Sequence, residues 1–231
     1  MDFLAELRRI RAHLASARAT PENTPPGRIT AEAAPDGAMQ VRVIGTISWW
    51  AGNDVIPTAE RLMDERPAKV RLYVDSPGGD LFDAMALRSA LDSCGAAITA
   101  TGGALVGSAA VPVFLAGAVR TAQPYSRFMI HQPRAGFMAF GTAAEISAAL
   151  AKFVPTLEAA IGLYRDSLVT RVGAERADEW MSAQTDTWLT AAEAAEAGIL
   201  TEAPVDDAPV AYLRTLAQGL ADLYGSPHGR H

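Results

Sequence analysis

Between residues 39 and 203, short β-rich runs alternate with stretches of helical periodicity, and no other feature limits the fold so strongly. Val41, Val43 and Ile47 alternate with polar neighbours, as in a half-buried strand, and a helical stretch follows around Thr58–Asp64. Val70–Val74 is a second β-rich run, closed by the turn Asp75-Ser76-Pro77-Gly78-Gly79. The pattern then predicts a helix through Phe82–Leu91, a strand over Ala97–Thr101, a helix from about Ser108 to Leu115 and a strand over Phe128–His131. Consecutive strands joined by helices have to run parallel, with the helices covering the sheet. The chain is therefore expected to be α/β.

From Thr142 to Val169 the apolar positions Ile146, Leu150, Phe153, Leu157, Ile161, Tyr164 and Leu168 recur at intervals of three and four. This predicts one long helix with a continuous apolar seam, kinked or strained at Pro155. The seam is longer than a small sheet needs, so the helix is expected to project and meet another subunit. Residues 1–20 read as a short amphipathic helix and 21–38, rich in proline, as a linker. The compact unit is placed at 39–203, and residues 204–231 as a second helical pattern with a polar tail.

Composition removes several kinds of function. The 231 residues carry a net charge of −6 with a pI near 5.2 and no basic cluster, which argues against nucleic acid as a partner. No run approaches about 18 consecutive apolar residues, so no membrane partner is expected. Cys94 is the only cysteine, which excludes an intrachain disulfide and a thiolate cluster and fits a reducing, cytoplasmic compartment. The 4 histidines stand at 13, 131, 228 and 231, so no metal site and no cofactor are expected.

Four places carry groups suited to chemistry. Ser108 follows the glycine-rich stretch Gly102–Gly107, read as a turn, and opens an apolar helix. There its hydroxyl would stand where free backbone N–H groups bind a developing oxyanion, although the commoner role of such a serine is an N-cap. A phosphate-binding loop is excluded because Ser108 stands where the lysine should be, and no G-x-S-x-G elbow of an α/β-hydrolase is present. His131 closes an apolar strand; the other histidines lie near the ends, so an imidazole base in the folded unit has to be His131. Asp186 precedes a predicted helix at Ala191–Ala197 and by itself reads as a turn carboxylate, with Asp178 the other acid in this region. The Ser76–Gly79 turn ends a parallel strand, where ligands gather and where glycine lets backbone N–H groups approach them.

Ser76-Pro77-Gly78-Gly79, Gly107-Ser108-Ala109-Ala110, Met129-Ile130-His131-Gln132-Pro133 and Asp186 with Trp188-Leu189-Thr190-Ala191-Ala192-Glu193-Ala194 follow one another in the order seen in the Clp protease proteolytic subunit. The resemblance runs from about Met39 to Glu202. The Ile44-Gly45-Thr46-Ile47 opening and Phe82-Asp83-Ala84-Met85 look closest to the ClpP-like head-maturation proteases of tailed phages and prophages. The resemblance implies a ClpP/crotonase-like α/β fold of stacked β-β-α units with a long protruding handle helix. It further implies Ser108 as nucleophile, His131 as general base, Asp186 as the residue orienting it, and the backbone N–H groups of Gly79 and Ala109 as an oxyanion hole. A polypeptide substrate, a homo-oligomeric ring, and an AAA+ unfoldase or phage capsid proteins as partners follow from the same resemblance. The chain departs from the housekeeping subunit in a slightly shorter Ser108–His131 segment, in Ala110 where glycine is usual, and in the segment that forms the axial loops.

The reading reached from the sequence is a serine endopeptidase without metal or organic cofactor. Its rivals are a catalytically silent scaffold of the same fold, a crotonase-type acyl-CoA enzyme and, more distantly, a signal-peptide peptidase using a Ser-Lys pair.

Overall fold

A computed structural model of the chain describes residues 28–48, 52–135 and 139–202. The predicted helices at 1–20 and beyond Val205 lie outside the described residues. Seven strands form one mixed sheet: β1 Arg28–Ala33, β2 Met39–Ile44, β3 Lys69–Ser76, β4 Ala97–Gly107, β5 Val119–Ala122, β6 Arg127–Ile130 and β7 Thr187–Thr190. The order is β1-β2-β3-β4-β6-β7, with β5 also on β4. The central pairings β2–β3, β3–β4, β4–β5 and β4–β6 are parallel, as the β-α alternation requires, while β1 and β7 close the two ends in antiparallel register.

The helices are α1 Ile56–Glu65, α2 Leu81–Ser93, α3 Ala110–Phe114, α4 Ala143–Val172, α5 Ala174–Ser182 and α6 Ala191–Glu196. Val41, Val43, Leu72 and Val74 on the strands meet Leu62, Leu87, Leu91 and Phe114 on the helices in one buried core. Short strands of alternating β-branched residues supply one face of it and the apolar stripes of α1 and α2 another.

Three expectations need correction. The segment 21–38 is not all linker: β1 pairs with β2 from Arg28↔Ile44 to Ala33↔Met39, and Ala31 is buried. Its small, weakly patterned side chains hide a strand that backbone pairing creates. The unit thus begins by Arg28. The glycine-rich stretch 102–107 is not a turn but the second half of β4, and the helix expected from Ser108 is only the five residues of α3. β5, α5 and β7 were not anticipated, being too short or too polar to show a period.

β4 carries the irregularity that places the site. Val74 pairs with Gly102 but Ser76 with Val106, so Asp75 alone faces Gly103, Ala104 and Leu105 in a bulge. The Asp75 carboxylate accepts a hydrogen bond from the Leu105 N–H at 3.1 Å, holding the bulge. Before it, β4 pairs with β5; after it, Leu105–Gly107 pair with Arg127–Met129 of β6. The buried Ser126 hydroxyl, donating to the Gly103 carbonyl at 2.5 Å, pins the chain between the two partners.

α4 runs unbroken through Pro155 and ends at Gly173. Thr142 accepts from the Glu145 N–H while the Glu145 carboxylate accepts from the Thr142 N–H, a reciprocal cap that holds the Glu145 carboxyl below its usual range. The predicted seam divides into two. Tyr164 and Leu168 are buried; Phe153, Leu157 and Ile161 are half-buried; Ile146 and Leu150 are exposed, along with Val154. Phe153 meets Phe82 of α2 edge to face, centroids 6.0 Å apart. By length and composition α4 is also apolar enough to cross a membrane, which the run-length criterion missed because Lys152, Pro155 and Glu158 interrupt it.

Candidate active site

The site forms where three chain segments end together. β3 stops at Ser76, whose buried hydroxyl oxygen accepts from the Gly78 N–H at 3.0 Å. The Ile47 N–H donates to the Gly78 carbonyl at 2.8 Å and the Asp80 N–H to the Ile47 carbonyl at 2.7 Å, so the turn is tied on both sides. Asp80 then caps α2, accepting from the N–H groups of Phe82 and Asp83 at 2.9 and 3.1 Å. Gly78 and Gly79 have φ of +98° and +146°, which only glycine adopts without strain. A β-carbon on Gly78 would lie 2.6 Å from the Ser108 Cβ and 2.8 Å from the Ala109 nitrogen. The turn is therefore pressed directly against the Ser108–Ala109 peptide.

Ser108 follows the last residue of β4 and has φ of +52°, in the left-handed region. For an L side chain this costs on the order of 1–2 kcal/mol, so the surroundings must impose it. They do so through its N–H, which donates to the Met129 carbonyl of β6 at 2.7 Å, and through the buried Ala109 and Ala110 that follow. α3 is too short to carry a substantial dipole, so the helix-end argument for Ser108 is weaker than the sequence implied. Gly79 and Ala109 both line the cleft, and among the described residues neither backbone N–H donates to a backbone carbonyl.

His131 lies one residue past β6, and its Nε2 is 2.7 Å from the Ser108 Oγ. Asp186 immediately precedes β7, whose antiparallel pairing of Thr187 with Ile130 carries residue 186 to residue 131. The His131 Nδ1 to Asp186 Oδ1 distance is 3.8 Å, an ion-pair separation but too long for a hydrogen bond. The Asp186 side chain is 42% exposed and that of His131 20%. Asp178, the other acid considered, is held away on α5 by Arg165, with bonds of 2.6 and 2.9 Å.

Around these groups is an open cleft of about 270 Å³, lined by Ser108, His131, Gly79 and Ala109 and, in addition, by Leu81, Met129, Arg134 and Tyr164. The fold thus brings together all five residues singled out from the sequence. The four additional ones were not foreseen. Tyr164 falls in the periodic seam of α4, which marks it as core and not as cleft, and nothing in the spacing of Arg134 after His131 marks it. Among the described residues no group of three His, Cys, Asp or Glu is placed to share a metal ion.

A serine under a left-handed backbone with an imidazole on its hydroxyl is the arrangement that an activated nucleophile requires. The Clp protease family model matches residues 27–204, and the chain belongs to the Clp protease family. Its α/β sheet with a long helix is the ClpP fold. The ATP-dependent Clp protease proteolytic subunit of Bacteroides fragilis is 28% identical over 136 residues, 58% of this chain and 62% of that one. Subunit 2 of the same protease from Nocardia farcinica is 32% identical over 145 residues, 60% and 67% of the two chains, and that of Thermobifida fusca 30% over 141 residues, 60% and 66%. The chain thus spans about three-fifths of the length of the Bacteroides relative.

Proposed function

We propose that this chain is a serine endopeptidase. The observation that carries the reading is the 2.7 Å contact between Ser108 Oγ and His131 Nε2. In this mechanism Nε2 accepts the hydroxyl proton as Oγ attacks the scissile carbonyl, and the N–H groups of Gly79 and Ala109 receive the oxyanion. The imidazolium then protonates the leaving amine as the C–N bond breaks. Water, deprotonated by the same imidazole, releases the acyl group from Ser108. Asp186 stabilises the imidazolium and selects its tautomer once it closes from 3.8 Å. No metal or organic cofactor enters this chemistry.

The exposed half of α4 supports assembly into a homo-oligomeric ring, because Ile146, Leu150 and Val154 leave an apolar face uncovered. Placing lysine at Leu150 and Leu157 is expected to dissociate the particle in light scattering; a monomeric, fully active wild type would refute assembly. The resemblance to phage head-maturation proteases supports capsid proteins as the polypeptide substrates and leaves an AAA+ unfoldase as the alternative partner. The single, buried Cys94 supports a cytoplasmic setting.

The deciding experiment is labelling with a fluorophosphonate, the adduct located by mass spectrometry, alongside hydrolysis of a denatured protein. Modification confined to Ser108 with turnover supports the endopeptidase. An unlabelled, inert protein would instead be a scaffold of the same fold.

A further inference from the structure

The wall of the cleft has an electrostatic bias that the hydrolytic machinery does not use. Its body is apolar, from Leu81, Met129 and the ring of Tyr164, yet Arg134 opens onto it as well. Among the described residues Arg134 has no ion pair and no hydrogen bond, in contrast to Arg61, Arg71, Arg88 and Arg165, each of which meets a carboxylate. Tyr164 is buried, and its hydroxyl has no hydrogen-bond partner. No carboxylate lines the cleft. An exposed guanidinium without a carboxylate partner thus borders a largely apolar cleft that Gly79 and Ala109 also line. In the endopeptidase reading, the residue whose carbonyl their N–H groups receive sits against this lining.

We infer that the cleft selects substrates with a carboxylate side chain, glutamate above all, on the acyl side of the scissile bond, with Arg134 as the specificity-determining residue. The inference rests on the endopeptidase reading and deepens it. Glutamate fits because its methylenes can lie along Leu81 and Met129 while its carboxylate reaches the guanidinium, an arrangement that favours a charge-assisted, two-point contact. Arg134 is itself exposed, so the preference is modest and weakens with salt.

The test uses the full chain and peptides with a blocked N-terminus and an aminocoumarin leaving group, differing only in the residue before the cleaved bond: Glu, Gln, Leu or Lys. These substrates have no terminal carboxylate, so any acidic preference comes from the side chain. The expected kcat/KM for Glu exceeds that for Gln by about tenfold at low salt. Arg134→Leu should remove that ratio, with an unchanged melting temperature showing that the variant is folded, and Arg134→Glu should turn the preference toward Lys. Equal cleavage of Glu and Gln, or an unchanged ratio in Arg134→Leu, would overturn the inference while the endopeptidase stands. If no peptide is cleaved and Ser108 is unlabelled, the endopeptidase reading fails separately. Anisotropy with Ser108→Ala then still reads the cleft: tighter binding of the Glu peptide than the Gln peptide, lost with Arg134→Leu, supports the inference, and equal binding refutes it.

Discussion

The two sides of His131 are built differently. On one side Ser108 is held by core: its N–H is spent on Met129, Gly78 presses against its β-carbon, and the alanines after it are buried. On the other side Asp186 hangs from β7, a four-residue strand at the edge of the sheet, 42% exposed and 3.8 Å from the imidazole. Ser108 and His131 are thus held by strands that run into the core, whereas Asp186 depends on a short antiparallel pairing at the exposed edge of the sheet. A catalytic contact made on a core strand is set when the protein folds; one made from an edge strand can still move by the ~1 Å that separates 3.8 Å from a hydrogen bond.

The largest expected effect lies on the Ser108 side. Ser108→Ala should lower kcat on the order of a millionfold, since the nucleophile is gone, with little change in thermal stability. Measurable turnover near the wild-type rate would mean that another group attacks. On the exposed side, Asp186→Asn should cost up to roughly ten-thousandfold in kcat if the carboxylate closes on His131 during catalysis. A loss below about tenfold would show that the Ser108–His131 pair works alone and that the 3.8 Å gap persists in the complex.

Gly78→Ala probes the packing beneath the nucleophile. Its φ of +98° and the 2.6 Å approach to the Ser108 Cβ leave no room for a methyl group. A displacement of Ser108 by even ~1 Å is expected to lower kcat by about a hundredfold, with a drop in melting temperature. A fully active variant would show that the turn, not the serine, yields.

The smallest effect concerns Tyr164 on the cleft wall. Its buried, unpartnered hydroxyl costs stability, so Tyr164→Phe should stabilise the fold by about 1 kcal/mol at neutral pH. Burial also pushes the Tyr164 phenol up from its ordinary value, so the folded state keeps a proton that the unfolded chain loses. The penalty is constant below the ordinary phenol range and grows as the pH rises from there toward the raised value of the folded state. The advantage of the phenylalanine variant should therefore widen in alkali, which melting curves across pH would read. The buried Arg120, pushed down to about 10 by burial and by Arg171, acts in the opposite direction but equally in both proteins. A constant difference across pH would mean that the hydroxyl finds a partner.

Much of the site was legible in the chain. The β-α alternation determined parallel strands, because crossovers through helices permit nothing else, and the Pro77-Gly78-Gly79 turn could be placed at a strand end from composition alone. His131 stood out by elimination. The long seam of α4 determined a helix, since its intervals of three and four match no other element. What had no local signal was the pairing. β1 and β7 are too short and too mixed to declare themselves, and only their backbone bonds to β2 and β6 make them strands. The bulge opposite Asp75, which transfers β4 from β5 to β6, is a relation between three segments far apart in sequence. Tertiary structure alone thus decided that Ser108 would reach His131 to 2.7 Å, that Asp186 would stop at 3.8 Å, and that Arg134 and Tyr164 would share their cleft. The physical reason is that periodicity records which face of an element is buried, whereas register between strands is decided by hydrogen bonds whose partners lie elsewhere in the chain.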